Sequence, residues 1–332
     1  MKSIPKNYLL IDINAIFYKT LFALQKNEKE EDLYDVYTND RGELKKKLKD
    51  DMFNNNYKSY FWNMMFGIVQ KFGDVKQIVT CHDNHSWRYK IFPYYKKSRS
   101  TQTAGDCFDW RDFFNKVRKF QKEELDVYSP FISLDVNDCE GDDIIGTIAV
   151  GLAQEHPDAT VYIYSSDKDF IQLLKYPNIK LFSILKKKFI TSLNPKNDLL
   201  AQILLGDSCD GIPHVRNSSD YYVKPILERT SSGRAKCTGA RLGEAVVRKA
   251  INDNKVFETI VNTPEIQARF NENQNLIDLE RIPIDIKKNI FNTYHKLIEH
   301  HKSKSPAGLQ RYFIMNGFQY LSQSCYKVSH LF

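Results

Sequence analysis

No stretch of the 332-residue chain approaches the roughly 20 consecutive apolar residues that a membrane helix needs, so no membrane association is expected. No secretory leader precedes Ile4-Pro5. The six cysteines (81, 107, 139, 209, 237 and 325) are scattered, with no Cys-x-x-Cys pair and no His-spaced zinc pattern. That argues against a disulfide scaffold or structural zinc and suits a reduced, cytoplasmic compartment. Internal repeats and low-complexity tracts are missing too. What remains is a globular chain with room for one large domain or two moderate ones.

What is present is carboxylate where apolar runs end. From Phe131 to Leu174 an apolar strand-like run (131–136) gives way to Asp138, Glu140, Asp142 and Asp143. A helix-like segment (144–152) follows, then a second strand-like run (160–164) that leads into Asp167 and Asp169. A strand–helix–strand unit of this kind is parallel and right-handed, which predicts both acidic groups at the carboxyl ends of neighbouring strands. Each group alone reads equally well as helix capping. Together they conflict: two unit charges about 4 Å apart cost on the order of 4 kcal/mol at an effective dielectric near 20. Cations would relieve this, and Mg²⁺ is the hard, oxygen-seeking choice.

Two further strands end in acids. Tyr8–Ile13 carries Asp12 before a helical pattern over 15–24, and Gln77–Cys81 runs into His82-Asp83-Asn84. An apolar helix is expected over 57–72. Residues 26–57, charged and then Asn-rich, read as a helix-bearing excursion without recognisable chemistry. His82 and His85 fit turn or surface positions better than ligand roles. Ser86–Arg99 (SWRYKIFPYYKKSR) interleaves aromatic and basic residues, a mix suited to single-stranded nucleic acid. Pro93 predicts a helix start that puts Lys96 and Arg99 on one face, with Tyr94, Tyr95 and Lys97 beside them. Ser98–Asp106 is small and polar, the pattern of a mobile segment.

Net charge is +7, yet nine acids (12, 83, 140, 142, 143, 167, 169, 207 and 210) concentrate in the candidate site. Setting them aside leaves 48 basic against 32 acidic groups, an excess of 16. An anionic pocket in a basic body fits a nuclease that meets a phosphate backbone, although a basic surface also serves solubility.

In their order along the chain, Asp12, Asp83 before Arg88 and YYKKSR, EGDD, SSDKDF and GDSCD resemble the structure-specific 5′ nuclease (flap endonuclease) family. Within it the chain resembles the ribonuclease H branch of T-even-type bacteriophages. The resemblance runs from Tyr8 to the C-terminus, includes NLIDLERIP at 275–283, and is poor over 26–57. It implies an α/β fold: a central, mainly parallel sheet flanked by helices in a nuclease domain (1–205), then a mostly helical region (206–332) with an irregular helix–hairpin–helix-like DNA-binding element.

The resemblance further implies two Mg²⁺ ions, with Mn²⁺ as a substitute. Asp12, Asp83, Glu140 and Asp142 would hold the first, beside Asp143. Asp167, Asp169 and Asp210 would hold the second, supported by Asp207. Arg88 and Lys96 would grip and polarise the scissile phosphate. Tyr94, Tyr95, Lys97 and Arg99 would meet single-stranded nucleic acid, within an arch that includes 98–106. Arg229, Arg234, Lys236, Arg241, Arg248 and Lys249 would contact duplex phosphates. Expected substrates are branched, flap or nicked DNA and RNA/DNA hybrids, cut by a monomer that removes RNA primers during phage replication. A single-strand-binding protein and a sliding clamp are the implied partners. A smaller PIN-type ribonuclease shares the acidic strand ends but lacks the 86–106 element and the long basic C-terminal region. An inactive binding scaffold would have no use for crowded carboxylates.

Overall fold

The computed structural model describes residues 6–97, 99, 107–223 and 242–332. The apolar run near the start forms β1 (Asn7–Asp12), with Leu9, Leu10 and Ile11 wholly buried. Leu9 and Ile11 point to one side of the sheet and Tyr8 and Leu10 to the other, the alternation of a strand covered on both faces. Asp12 ends the strand and caps α1 (Ile13–Asn27), its carboxylate accepting the Ala15 N–H at 3.2 Å.

Residues 26–57 bear helix as expected, at Glu30–Leu33 and Met52–Tyr57, and add a hairpin beyond that expectation. After one helical turn (Glu30–Leu33) they form an antiparallel hairpin, β2 (Tyr34–Thr38) and β3 (Leu44–Leu48). The hairpin turns at Asn39-Asp40-Arg41-Gly42, where Gly42 takes φ +76° and Asn39 Oδ1 accepts two backbone N–H groups. These are the turn residues that hairpin chemistry favours, so a local signal was there to be read. Helix α2 (Lys58–Lys71) and β4 (Val75–Cys81) fall where the sequence predicts them.

Next come α3 (Trp110–Phe120), β5 (Ile132–Leu134), α4 (Gly141–Glu155), β6 (Val161–Tyr164), β7 (Ile179–Ser183) and β8 (Lys188–Ile190). The main sheet has the order β5-β4-β1-β6-β7-β8, parallel except for β8. The strands β5 and β6 are thus parallel but not neighbours. Apolar β1 and β6 take the centre, while three-residue β5, with a polar Ser133 in its middle, occupies an edge. From β1 the chain steps outward through β4 to β5, then crosses back to build β6 and β7 on the other flank. This reversal leaves a crevice beyond the carboxyl ends of β1 and β6, the place where open parallel sheets take their ligands.

One face of the sheet packs on α1, α2 and α3, the other on α4. The helical C-terminal region returns to both: α5 (Pro195–Leu205), α6 (Glu244–Asn252), α7 (Asn254–Ile260), α8 (Pro264–Ile277), α9 (Ile284–His301) and α10 (Pro306–Met315). Helix α9 lays Ile290 and Tyr294 into the α4 side, with Phe291 pressed on Gly151. Helix α10 and the tail send Leu309, Phe313, Leu321 and Val328 to Trp62 on the opposite side. No helix among the described residues is long and apolar enough to cross a membrane.

Wholly buried Asn273 ties α8 to the end of α5, donating to the Ile203 carbonyl at 3.0 Å and the Pro213 carbonyl at 2.8 Å. Asn273→Ala would leave both carbonyls unpaired at about 1–3 kcal/mol each. The variant is expected to lose about 2 kcal/mol or more of stability, read from its urea midpoint at unchanged slope.

Candidate metal centre

Each acid of the crevice is aimed by the element it begins or ends. Asp12 closes β1, and its second oxygen accepts Ser165 Oγ–H at 2.9 Å from the end of β6. Ser165 Oγ in turn accepts the Asp167 N–H, joining the two flanks of the topological reversal. Asp83 follows β4 and accepts the Gly141 N–H at 2.7 Å, so it sits against the first turn of α4; Asn14 donates to its other oxygen. A Cβ on Gly141 would stand 3.0 Å from that Asp83 oxygen, which explains the bare backbone at this point. The N-terminus of α4 suits negative charge and carries Glu140, Asp142 and Asp143, whose ligand atoms lie within 4.8 Å of one another.

These three acids do different things. Glu140 is 6% exposed and densely partnered: Ser86 Oγ at 2.8 Å, Tyr95 Oη at 2.7 Å, Arg88 Nη1 at 3.3 Å, and the Lys96 ammonium. Burial alone would raise its pKa; Lys96 and Arg88 prevail and hold it below the usual value. Asp143 is wholly buried, accepting from Trp87 Nε1 at 3.1 Å, Arg88 Nη1 at 3.0 Å and the Glu140 N–H at 3.1 Å. It works as a cap and an anchor. Asp142 makes no hydrogen bond or salt bridge among the described residues. Burial, Glu140 and Asp143 push its pKa well above the ordinary carboxylate range.

The second group gathers opposite. Asp167 caps the short 3₁₀ helix Lys168–Lys175, and Asp169 on its first turn is held by Gln202 of α5. Burial and Asp167 drive the Asp169 pKa well upward. Asp207 and Asp210 project from the tight turn after α5, closed by paired Asp207–Ile212 backbone bonds of 2.8 and 2.7 Å. Gly206 makes the turn possible at φ +70°, where a Cβ would fall 2.3 Å from the Ile212 carbonyl oxygen. Asp207 pairs with Lys168 at 3.0 Å, and Asp210 with Arg99 at 2.7 Å and Lys96 at 3.7 Å.

Several expected roles change on this geometry. Arg88 is 2% exposed; its Nε donates to the Leu276 carbonyl and its Nη1 to Glu140 and Asp143, so it braces the carboxylates from behind rather than facing a phosphate. Tyr95, 1% exposed, is no stacking platform; its hydroxyl lies between Glu140 and Asp210, 3.1 Å from the latter, and bridges the two groups. Tyr94 is partly buried against Phe92 beneath the site, and Lys97 is exposed beside its ring. Residues 91–97 run as successive turns, not as a helix from Pro93. Lys96 adopts φ +52° and gives its N–H to the Asp210 carbonyl at 2.8 Å. The turn nonetheless brings Lys96 and Arg99 to one carboxylate. His82 is buried, 2.9 Å from Ser133 Oγ, and burial drops its pKa to about 3. Arg248 and Lys249 are exposed on α6, Arg248 next to Glu244 at 3.5 Å. Arg229, Arg234, Lys236, Arg241 and, apart from Arg99, the expected mobile segment 98–106 lie outside the described residues.

Residues that sequence reasoning passed over complete the crevice: Asn14, Ser165, Lys168, Gln202 and Tyr18. The Tyr18 ring lies 5.5 Å from Trp110 and 5.4 Å from Phe114, and its pKa rises through burial and the nearby Asp83 charge. Tyr18 stands four residues beyond Asn14, about one helical turn, the signal that would have placed both on the crevice side of α1. The donor set suits hard divalent cations: oxygen ligands only, one of them an unpartnered carboxylate crowded by two others.

Residues 7–199 match the family model described as "5′-3′ exonuclease, N-terminal resolvase-like domain", and residues 194–328 that described as "T4 RNase H, C terminal". Ribonuclease H of Enterobacteria phage T4 is 32% identical over 254 residues, covering 75% of this chain and 78% of that protein. A 5′-3′ exonuclease of Buchnera aphidicola is 29% identical over 224 residues, 63% of this chain and 66% of the relative. The bacteriophage T5 flap endonuclease, solved with DNA and metal ions, superposes with a TM-score of 0.58 over 90% of this chain and 100% of its own. At 13% identity that likeness establishes the fold.

Asp12 offers a test of the electrostatics. Burial, then Asp83, lifts its pKa to about 6 from 3.8. The folded state therefore binds more protons than the unfolded one between about pH 4 and 6, and metal-free stability should fall as pH rises through that window. Asp12→Asn should raise metal-free stability above pH 6, by about 1–2 kcal/mol, with the gain vanishing below pH 4. Calorimetric melting in chelator across that range reads the difference.

Proposed function

The chain belongs to the 5′-3′ exonuclease family, and from that premise we propose a divalent-metal-dependent nuclease that trims 5′ ends and cuts 5′ flaps. Its inferred substrates are flap or nicked DNA and RNA/DNA hybrids, and its inferred task the removal of RNA primers during phage replication. A single-strand-binding protein and a sliding clamp are partners that such a task calls for. One observation supports the reading: acids at or just after the ends of β1, β4 and β6 and at the start of α4 lie at the carboxyl end of a parallel sheet inside a chain with net charge +7.

The fit is to two Mg²⁺ ions, with Mn²⁺ as substitute: Asp12, Asp83, Glu140 and Asp142 for one, Asp167, Asp169 and Asp210 for the other. When bound, such ions neutralise phosphate charge and make a water more acidic. Everything else falls to the chain. Arg88 holds the Glu140 carboxylate from behind, and Asp143 accepts the Glu140 backbone N–H and pairs with Arg88. Tyr95 holds Glu140 and Asp210 at one separation. Lys96, 16% exposed and shared between those carboxylates, presents an ammonium at the mouth of the crevice. There it would oppose the charge that builds on phosphate oxygens as the bond breaks. The Tyr18 ring at the crevice wall offers an unpaired base a stacking surface. Arg248 and Lys249, on an exposed helix, suit phosphate contacts to a duplex.

Asp142→Asn removes the unpartnered carboxylate and no phosphate contact. It should reduce cleavage of a labelled 5′ flap at saturating Mg²⁺ by about 10³-fold or more while substrate affinity in Ca²⁺ stays near wild type. Turnover at the wild-type level would remove Asp142 from the site. Lys96→Ala should lower the single-turnover rate by about 10²-fold with at most a few-fold loss of affinity. A weaker dissociation constant with an unchanged rate would make Lys96 a binding contact alone.

A further inference from the structure

Among the described residues, four cationic side chains already occupy the crevice, and they are not equally fixed. Arg88 is 2% exposed with three carboxylate or carbonyl partners. Lys96 is 16% exposed, shared between Glu140 and Asp210, with its ammonium 4.9 Å from the Tyr95 ring. Arg99 is anchored twice, on the Cys209 carbonyl at 3.0 Å and on Asp210 at 2.7 Å. Lys168 differs. Its side chain is 57% exposed, and among the described residues its ammonium makes one salt bridge, to Asp207 at 3.0 Å.

The position of Lys168 gives that bond its meaning. It stands in sequence between Asp167 and Asp169, at the first residue of the 3₁₀ helix. Its ammonium neutralises Asp207, 6% exposed, at the edge of the group assigned to the second cation. Lysine is a compact point charge on a flexible stem, so this ammonium can leave Asp207 for water without breaking another salt bridge among the described residues. A divalent ion entering between Asp167, Asp169 and Asp210 meets like charge from Lys168 while the salt bridge stands.

Resting on the two-cation reading above, we propose that Lys168 is a tethered competitor of the second cation. It holds Asp207 while that cation is absent and sets how much divalent metal must be present before the second ion is retained. Lys168 is thus a positioning residue that tunes occupancy.

The test is a substrate-free Mn²⁺ titration of the full chain, with free Mn²⁺ followed by electron paramagnetic resonance. Wild type is expected to show two sites of unequal affinity. Removing a neighbouring like charge shifts a site by one log unit or more, so Lys168→Met, which keeps most of the stem, should tighten the weaker site about tenfold. The tighter site should not move, and Lys168→Arg should retain the wild-type profile. Two sites with unchanged affinities in Lys168→Met would overturn the competitor role and leave the two-cation reading standing. Fewer than two sites in the wild type would overturn both.

Discussion

Mutual repulsion among carboxylates is the constraint around which this molecule is built. Bringing acids from β1, β4, α4, the 3₁₀ helix after β6 and the turn after α5 to one crevice is unfavourable at every step. Burial first, and the neighbouring acids after it, raise the pKa of Asp12 to about 6 and those of Asp142 and Asp169 well beyond the usual range. Only a stiff scaffold can hold such a set together. A parallel sheet covered on both faces supplies it, with Leu9, Leu10 and Ile11 fully buried just below Asp12. The basic side chains then act as internal counter-ions: Arg88 beneath, Lys96 and Arg99 across, Lys168 at the outer edge.

Capping and site chemistry, which look like competing explanations for an acid at a helix start, coincide here. Asp12 caps α1 with one oxygen and meets Ser165 with the other. Asp167 caps the 3₁₀ helix, and Asp143 caps α4 while it grips Arg88. A cap fixes the rotamer of a carboxylate, so each helix that begins at the crevice orients the acid that starts it. The helix dipole adds a favourable field for the same charge. Gly206 and Gly141 serve the same end by leaving out a Cβ where backbone and carboxylate approach.

Much of this was legible in the residues alone. Apolar runs ending in acids marked the strands β1, β4 and β6, helix α4 and the acids at their ends, because strand ends and helix starts are written in a few consecutive residues; Asp207 and Asp210 came from the resemblance. The motifs' order carried the family. Tertiary structure decided the rest. Which strands are neighbours depends on how all the apolar strands compete for the centre of the sheet, and local pattern does not encode that competition. Whether a basic or aromatic side chain faces substrate or supports the site depends on partners far away in sequence: Arg88 bonds to a carbonyl 188 residues on, and Tyr95 to a carboxylate 115 residues on. Sequence gives a residue its chemistry; only packing decides which way it points, since burial is a property of the whole chain and not of its neighbours along it.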